Sequence, residues 1–201
     1  MLGKSTLYSI GHGHKTMEEF IAELQEFGIK YLIDVRSSPY SKWAPHFNQG
    51  IIENWLHQNN VRYVYMGDVI GGRPIDDSYY DDNGYFDYKK MAEAPQFKEG
   101  LKRLITANNK GILIAIMCSE SDPSQCHRSK LIGRELYFTY DINMNHIINK
   151  GACISQTKIM IELTNQRWLP EGNLFGSCDP PYFKSRKAYK EETSDIETAY
   201  E

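Results

Sequence analysis

Two rhythms of hydrophobic and polar positions alternate along this chain. Short apolar runs rich in β-branched and aromatic residues recur at 7–10, 31–36, 61–66, 112–117 and 141–148. Between them, apolar residues fall three and four apart. The runs predict strands and the spacing predicts amphipathic helices. Thr16 is placed to cap the first helix, with Glu19 closing a capping box; Met17, Phe20, Ile21, Leu24 and Phe27 form its apolar face and Gly28 ends it. Ile51, Ile52, Trp55 and Leu56 mark a second helix, stopped by Asn59-Asn60, and Phe97, Leu101, Leu104 and Ile105 mark a third. A helix over 125–138 turns Leu131, Ile132, Leu136 and Tyr137 inward, and a last one starts near Ser155 with Ile159, Met160 and Leu163 inward.

Strands alternating with helices predict an α/β fold, a mostly parallel sheet of about five strands with helices on both faces. One domain is expected over residues 1–168. An Asp/Tyr-rich insertion near 74–90 is read as a solvated loop or a lid, and 169–201 as a partly disordered extension. The insertion fails as a calcium loop: with Gly84 at the fixed glycine, Tyr79 and Lys90 take the first and last ligand positions.

The stretch that concentrates chemistry is Cys118-Ser119-Glu120-Ser121-Asp122-Pro123-Ser124-Gln125-Cys126-His127-Arg128, directly after the fourth apolar run. It reads as a strand end, a polar loop with Ser121 or Ser124 as cap, and a first helical turn. In parallel sheets ligands bind at the carboxyl ends of strands. Those ends carry His12 and His14, Asp34 and Arg36, Asp68 and Arg73, Cys118 and Glu120, and His146.

Composition adds limits. The chain has 201 residues and a formal net charge of -3, which gives no global electrostatic case for nucleic acid. No apolar run approaches a membrane span and no signal-peptide pattern opens the chain, so a cytoplasmic protein is expected. The four cysteines, Cys118, Cys126, Cys153 and Cys178, are expected to be reduced.

With these residues laid out, the chain resembles the domain-of-unknown-function 488 family. The resemblance rests on Ile10-Gly11-His12, Asp34-Val35-Arg36, Gly71-Gly72-Arg73, Cys118-Ser119-Glu120 with Cys126-His127-Arg128, and, more weakly, His146-Ile147. It spans about residues 5–150. It implies a Rossmann-like three-layer α/β domain with a polar pocket at the strand ends, and no settled reaction.

Three classes of function fit these residues. In the first, an enzyme binds a phosphorylated or nucleotide-like substrate. Arg36, Arg73 and Arg128 hold anionic oxygens with Cys126, His127 and the amides from Ser124 onward, and Cys118 or Cys126 is the nucleophile. Glu120, His12 or Asp34 then does acid–base work, and a variant pairs Asp34 with Glu120 as the two carboxylates of a hydrolase. Nine residues separate Cys118 from Arg128, too long for phosphatase or rhodanese loops. The second class is a zinc or iron site drawn from Cys118, Cys126, His127 and either His146 or His12. The third is a nucleic-acid or partner-binding module using Arg36, Arg73 and Arg128 with Tyr40 and Trp43. Asp34 is equally a structural partner for Arg36 or Arg128, and Gly71-Gly72 equally a plain tight turn. No cofactor is assigned.

Overall fold

A computed structural model describes residues 5–149, 151–171 and 180–185. Its first unit follows from local signals. Strand β1 (Leu7–Gly11) leads to helix α1 (Met17–Glu26), where the Thr16–Glu19 capping box is formed in both directions. Gly28 then takes the left-handed backbone that only glycine adopts cheaply, and β2 (Tyr31–Asp34) follows.

Helix α2 (Gln49–Gln58) and strand β3 (Arg62–Tyr65) come next. Two short helices, α3 (Gly67–Ile70) and α4 (Tyr88–Glu93), precede the long α5 (Pro95–Asn109), which feeds strand β4 (Ile114–Cys118). Beyond β4 the predicted single helix is divided. A 3-10 turn (Pro123–Gln125), a π-helical turn (Arg128–Gly133) and α6 (Arg134–Tyr140) succeed one another. Asp122, rather than Ser121 or Ser124, supplies the cap, accepting from the Ser124 amide at 2.8 Å. Asp141 ends α6 in a left-handed conformation, so the last parallel strand, β5 (Asn145–Asn149), starts later than its apolar pattern suggests. A sixth strand, β6 (Ala152–Ser155), runs antiparallel to β5 and leads into α7 (Gln156–Leu163), capped by Ser155.

The sheet order is β3-β2-β4-β1-β5-β6, and every pairing except β5–β6 is parallel. This is the expected three-layer α/β arrangement. Alternate residues of β4 divide between two cores. Ile114, Ile116 and Cys118 face residues of α3, α4, α5 and α6, whereas Ala115 and Met117 face α1 and α2. A strand covered on both faces has to be apolar throughout, which explains the unbroken run before Cys118.

The Asp/Tyr-rich segment is ordered on the first core. Phe86 and Tyr88 are buried, Tyr80 and Phe86 form an isolated bridge, and Asp81 accepts from the amides of Asn83 and Tyr85. Trp168 is buried against Tyr137 and Phe138. Residues 180–185 lie along the domain, with Pro181 accepting from Arg134 Nε at 2.6 Å and Tyr182 stacked on the Arg134 guanidinium at 3.6 Å. Cys178 and the charged run from 186 onward lie outside the described residues. Among the described residues no helix is long and apolar enough to cross a membrane.

Candidate functional site

Neighbouring strands β1 and β4 send their next helices to opposite faces of the sheet, α1 to one core and α6 to the other. Such a divergence is where α/β sheets open a crevice at their carboxyl ends. Register sets Gly11 level with Cys118, and Asp34 level with Met117. The two loops close over this point. The His12 amide donates to Cys118 O and the Gly13 amide to Ser119 O, both at 3.0 Å. A Cβ on Gly11 would fall 2.0 Å from Glu120 O, so only glycine permits that approach.

On the α6 side, Cys118, Cys126 and His127 converge, all buried, with their ligand-type atoms within 4.8 Å of one another. His127 Nδ1 lies 3.9 Å from Cys118 Sγ and 3.6 Å from Cys126 Sγ. Its Nε2 lies 3.2 Å from Val35 O, which can only accept, so Nε2 carries the proton and Nδ1 presents a lone pair. Burial alone would push the Cys126 thiol up. A hydrogen bond from Cys118, with the charge and N–H groups of Arg128, outweighs that and holds it below its ordinary value. Cys118 is pushed up to match, by its hydrogen bond to Cys126 and by burial.

Arg128 is completely buried. Its Nε donates to Cys126 Sγ at 3.2 Å, Nη1 to Ser9 Oγ at 3.1 Å and Nη2 to Glu120 O. From Ser9 the bonding runs inward with fixed direction. Gln156 Nε2 donates to Ser129 O at 3.1 Å, so its Oε1 faces His146 Nε2 at 2.8 Å and accepts. His146 is thus protonated on Nε2, and its Nδ1 accepts from Ser9 Oγ at 2.6 Å. Burial, reinforced by the Arg128 charge, lowers His146 to about 3 and keeps it neutral.

On the α2 side, Asp34 is completely buried and takes four donors: the Arg36 amide, Arg36 Nε and Nη2, and the Tyr63 hydroxyl. That fills its lone-pair capacity. Burial and the Asp34 carboxylate push the Tyr63 hydroxyl well up, so it remains a donor. Arg36 Nη2 also reaches Phe47 O at 2.8 Å, which leaves Nη1 as a buried donor without a partner. His12 stacks on the Phe47 ring at 4.3 Å. Its Nδ1 is 3.2 Å from Gly13 O and therefore protonated, whereas Nε2 is buried and unpartnered. Burial, then the Arg36 charge, lower His12 to about 4.

The family model for the domain of unknown function DUF488 matches residues 16–134, more than half of the chain. The chain belongs to the DUF488 family. No curated protein and no solved structure matches it. The DUF488 match takes in Asp34 to Arg36, Gly71 to Arg73, Cys118 to Glu120 and Cys126 to Arg128. His12 and His146 lie outside it.

Several expected residues sit differently from the reading of their motifs. His146 is the second residue of β5, paired with Ser9 in mid-sheet, and both ring nitrogens are occupied, so it does not join the thiols. Arg128 spends its three nitrogens inside the protein. The amides of Ser124, Gln125 and Cys126 are taken by Asp122 Oδ1, Asp122 O and Pro123 O, so these three are spent within the loop. Arg73 is exposed, and its amide donates to Ser37 Oγ at 2.8 Å. Glu120 is half-buried, with its carboxylate accepting from the Asp122 amide at 3.2 Å. Gly71 and Gly72 both lack a left-handed backbone. They are small because a Cβ would strike Gly67 O from one and the His127 ring from the other. The sequence reading passed over Ser9, Tyr63 and Gln156. Ser9 alone left a trace, as the one small polar residue inside the apolar run of β1.

Two surface depressions, of about 240 and 430 Å³, lie away from this rim, one lined by Tyr31, Val64 and Arg103 and the other by Thr6, Tyr8 and Phe27.

Proposed function

We propose that this DUF488 protein is an enzyme acting on a small anionic, phosphate-bearing or nucleotide-like substrate at the carboxyl rim of β1, β2 and β4. The observation that carries this reading is the pairing of two unsatisfied buried groups around Phe47, the cationic donor Arg36 Nη1 and the neutral acceptor His12 Nε2. Leaving a buried polar group unpaired costs about 1–3 kcal/mol, so such atoms call for a ligand or a catalytic role. Arg36 Nη1 receives a substrate oxygen and His12 Nε2 accepts a proton from the reacting hydroxyl or water. Asp34 and Tyr63 hold Arg36 in place and do not react. The loop leaving Arg36 exposes Tyr40 (64 %) and Trp43 (97 %), flat surfaces on which a nucleobase can stack.

A second reading is favoured by the electrostatics of Cys126, in which a stabilised thiolate acts as nucleophile. Thermal melting in inorganic phosphate and in nucleoside mono- and diphosphates tests the first. A ligand at a hundred times its Kd adds about 2.7 kcal/mol, and each kcal/mol moves the midpoint by about 2–4 °C for a domain of this size. The expected result is such a rise, lost in His12→Asn and Arg36→Lys. Unchanged melting in every one of these ligands overturns the reading.

A further inference from the structure

We propose that Cys118, Cys126 and His127 form a three-ligand site for a divalent transition metal of borderline softness, zinc above all, with a fourth position open to water or substrate. The inference goes beyond the anion-binding reading and stands without it.

Geometry comes first. A tetrahedral zinc ion with sulfur at about 2.3 Å and nitrogen at about 2.0–2.1 Å has N···S edges of about 3.6 Å and S···S edges of about 3.8 Å. The two N···S separations here are 3.6 and 3.9 Å, and all three donor atoms lie within 4.8 Å. No fourth histidine, cysteine or carboxylate joins this group among the described residues. Two cysteines and one histidine with an open position is a donor set used by catalytic zinc rather than by closed structural sites.

The surroundings fit the same ion. His127 donates Nε2–H to Val35 O, the outer contact that fixes a metal-binding histidine in the tautomer with a free Nδ1. Arg128 Nε donates to Cys126 Sγ, as outer-shell N–H groups do to coordinated thiolates. Gly72 carries no Cβ where one would lie 2.6 Å from Nδ1 over the ring face, so the imidazole can pack flat on the backbone there and is held in one orientation. On binding, any S–H bond of Cys118 or Cys126 breaks as its Zn–S bond forms, and each proton leaves to solvent; His127 loses none. His12 and His146 are not ligands.

Metal content of the purified native protein, followed by chelation and titration with Zn²⁺ and Co²⁺, tests this directly. The expected result is one zinc per chain. The Co²⁺ form should show the intense visible bands of a tetrahedral ion and a near-ultraviolet thiolate-to-cobalt charge-transfer band. Cys118→Ser should weaken zinc binding at least tenfold, whereas Cys153→Ser, on exposed β6, should not. Because both ion titrations use the wild-type chain, a variant that fails to fold leaves the test intact. The inference is overturned if the folded chain takes up no zinc, or if the Co²⁺ spectrum lacks thiolate charge transfer. Loss of zinc by the Cys153 variant alone overturns it equally. Phosphate and nucleotide melting run on the chelated protein keeps the anion-binding reading separately testable.

Discussion

Gly72 lies over the face of the His127 imidazole, so that a Cβ there would fall 2.6 Å from Nδ1 and 2.8 Å from Cγ. Gly72→Ala must therefore move the ring, which loosens its bond to Val35 O. Overpacking of this kind costs about 1–3 kcal/mol. Gly50→Ala is the matched control. It sits in α2 with nothing within 4 Å of its Cβ and should be neutral or stabilising by up to about 1 kcal/mol. Urea midpoints of the two variants decide the matter. Equal effects would mean that the His127 contact is not specific.

Arg128 is the hub between the thiols and the Ser9–His146–Gln156 relay. Lysine keeps the charge but has one nitrogen in place of three, so it cannot serve Cys126 Sγ, Ser9 Oγ and Glu120 O together. Each buried acceptor left without a donor costs about 1–3 kcal/mol, and lysine leaves up to two, so Arg128→Lys should lose about 2 kcal/mol or more. A loss below about 1 kcal/mol by chemical denaturation would show that the guanidinium is not spent internally.

Elements made by neighbours in sequence were legible in it. The Thr16–Glu19 capping box and the buried run of β4 are local facts, and the structure repeats them. The thiol–imidazole cluster was legible because all three of its residues lie within ten positions, from the end of β4 to the start of the π-helical turn. What stayed hidden depends on partners far along the chain. The π-helical turn has Gly133 packed so closely on Gln156 that a Cβ would fall 2.3 Å from Oε1, a contact no local pattern announces. His146 looked like a rim residue only because its apolar run begins at Asp141, and the left-handed Asp141 delays the strand. Strand β6 is four residues long with Cys153 exposed, too short and too mixed to show a period.

Asp34 accepts from Arg36 Nε and Nη2, and removing that support has a predictable cost. Asp34→Asn removes the charge opposite a buried guanidinium whose Nη2 lies 2.6 Å from the carboxylate. Breaking one side of such a buried pair costs about 3–5 kcal/mol. Tyr63→Phe removes one donor to the same carboxylate and should cost about 1 kcal/mol. A loss below about 1 kcal/mol in Asp34→Asn would show that the carboxylate does not hold the guanidinium. Denaturation curves of both variants measure this without any knowledge of the substrate.

Neutral His146 gives stability a pH dependence of known sign. Its value is about 3 in the folded chain, against about 6.5 for an unhindered histidine. Between these values the unfolded chain binds one proton more. The stabilisation is complete above pH 6.5 and is lost as pH falls toward 3, at about 1.4 kcal/mol per pH unit. His12, lowered to about 4, acts with the same sign. Between pH 5 and 6, where the unfolded histidines are not fully protonated, the pair should give a mean slope near 2.4 kcal/mol per unit, and His146→Gln should reduce it to about 1.2 kcal/mol. Carboxylates also titrate toward the acid end, but they are common to both chains and cancel in the difference. Unfolding free energies measured at half-unit steps from pH 5 to 7 supply the two slopes. Identical slopes would mean that His146 carries its proton in the folded chain. Nδ1 would then be a donor, and Ser9 Oγ, already accepting from Arg128, would face two cations instead of linking one to a neutral ring.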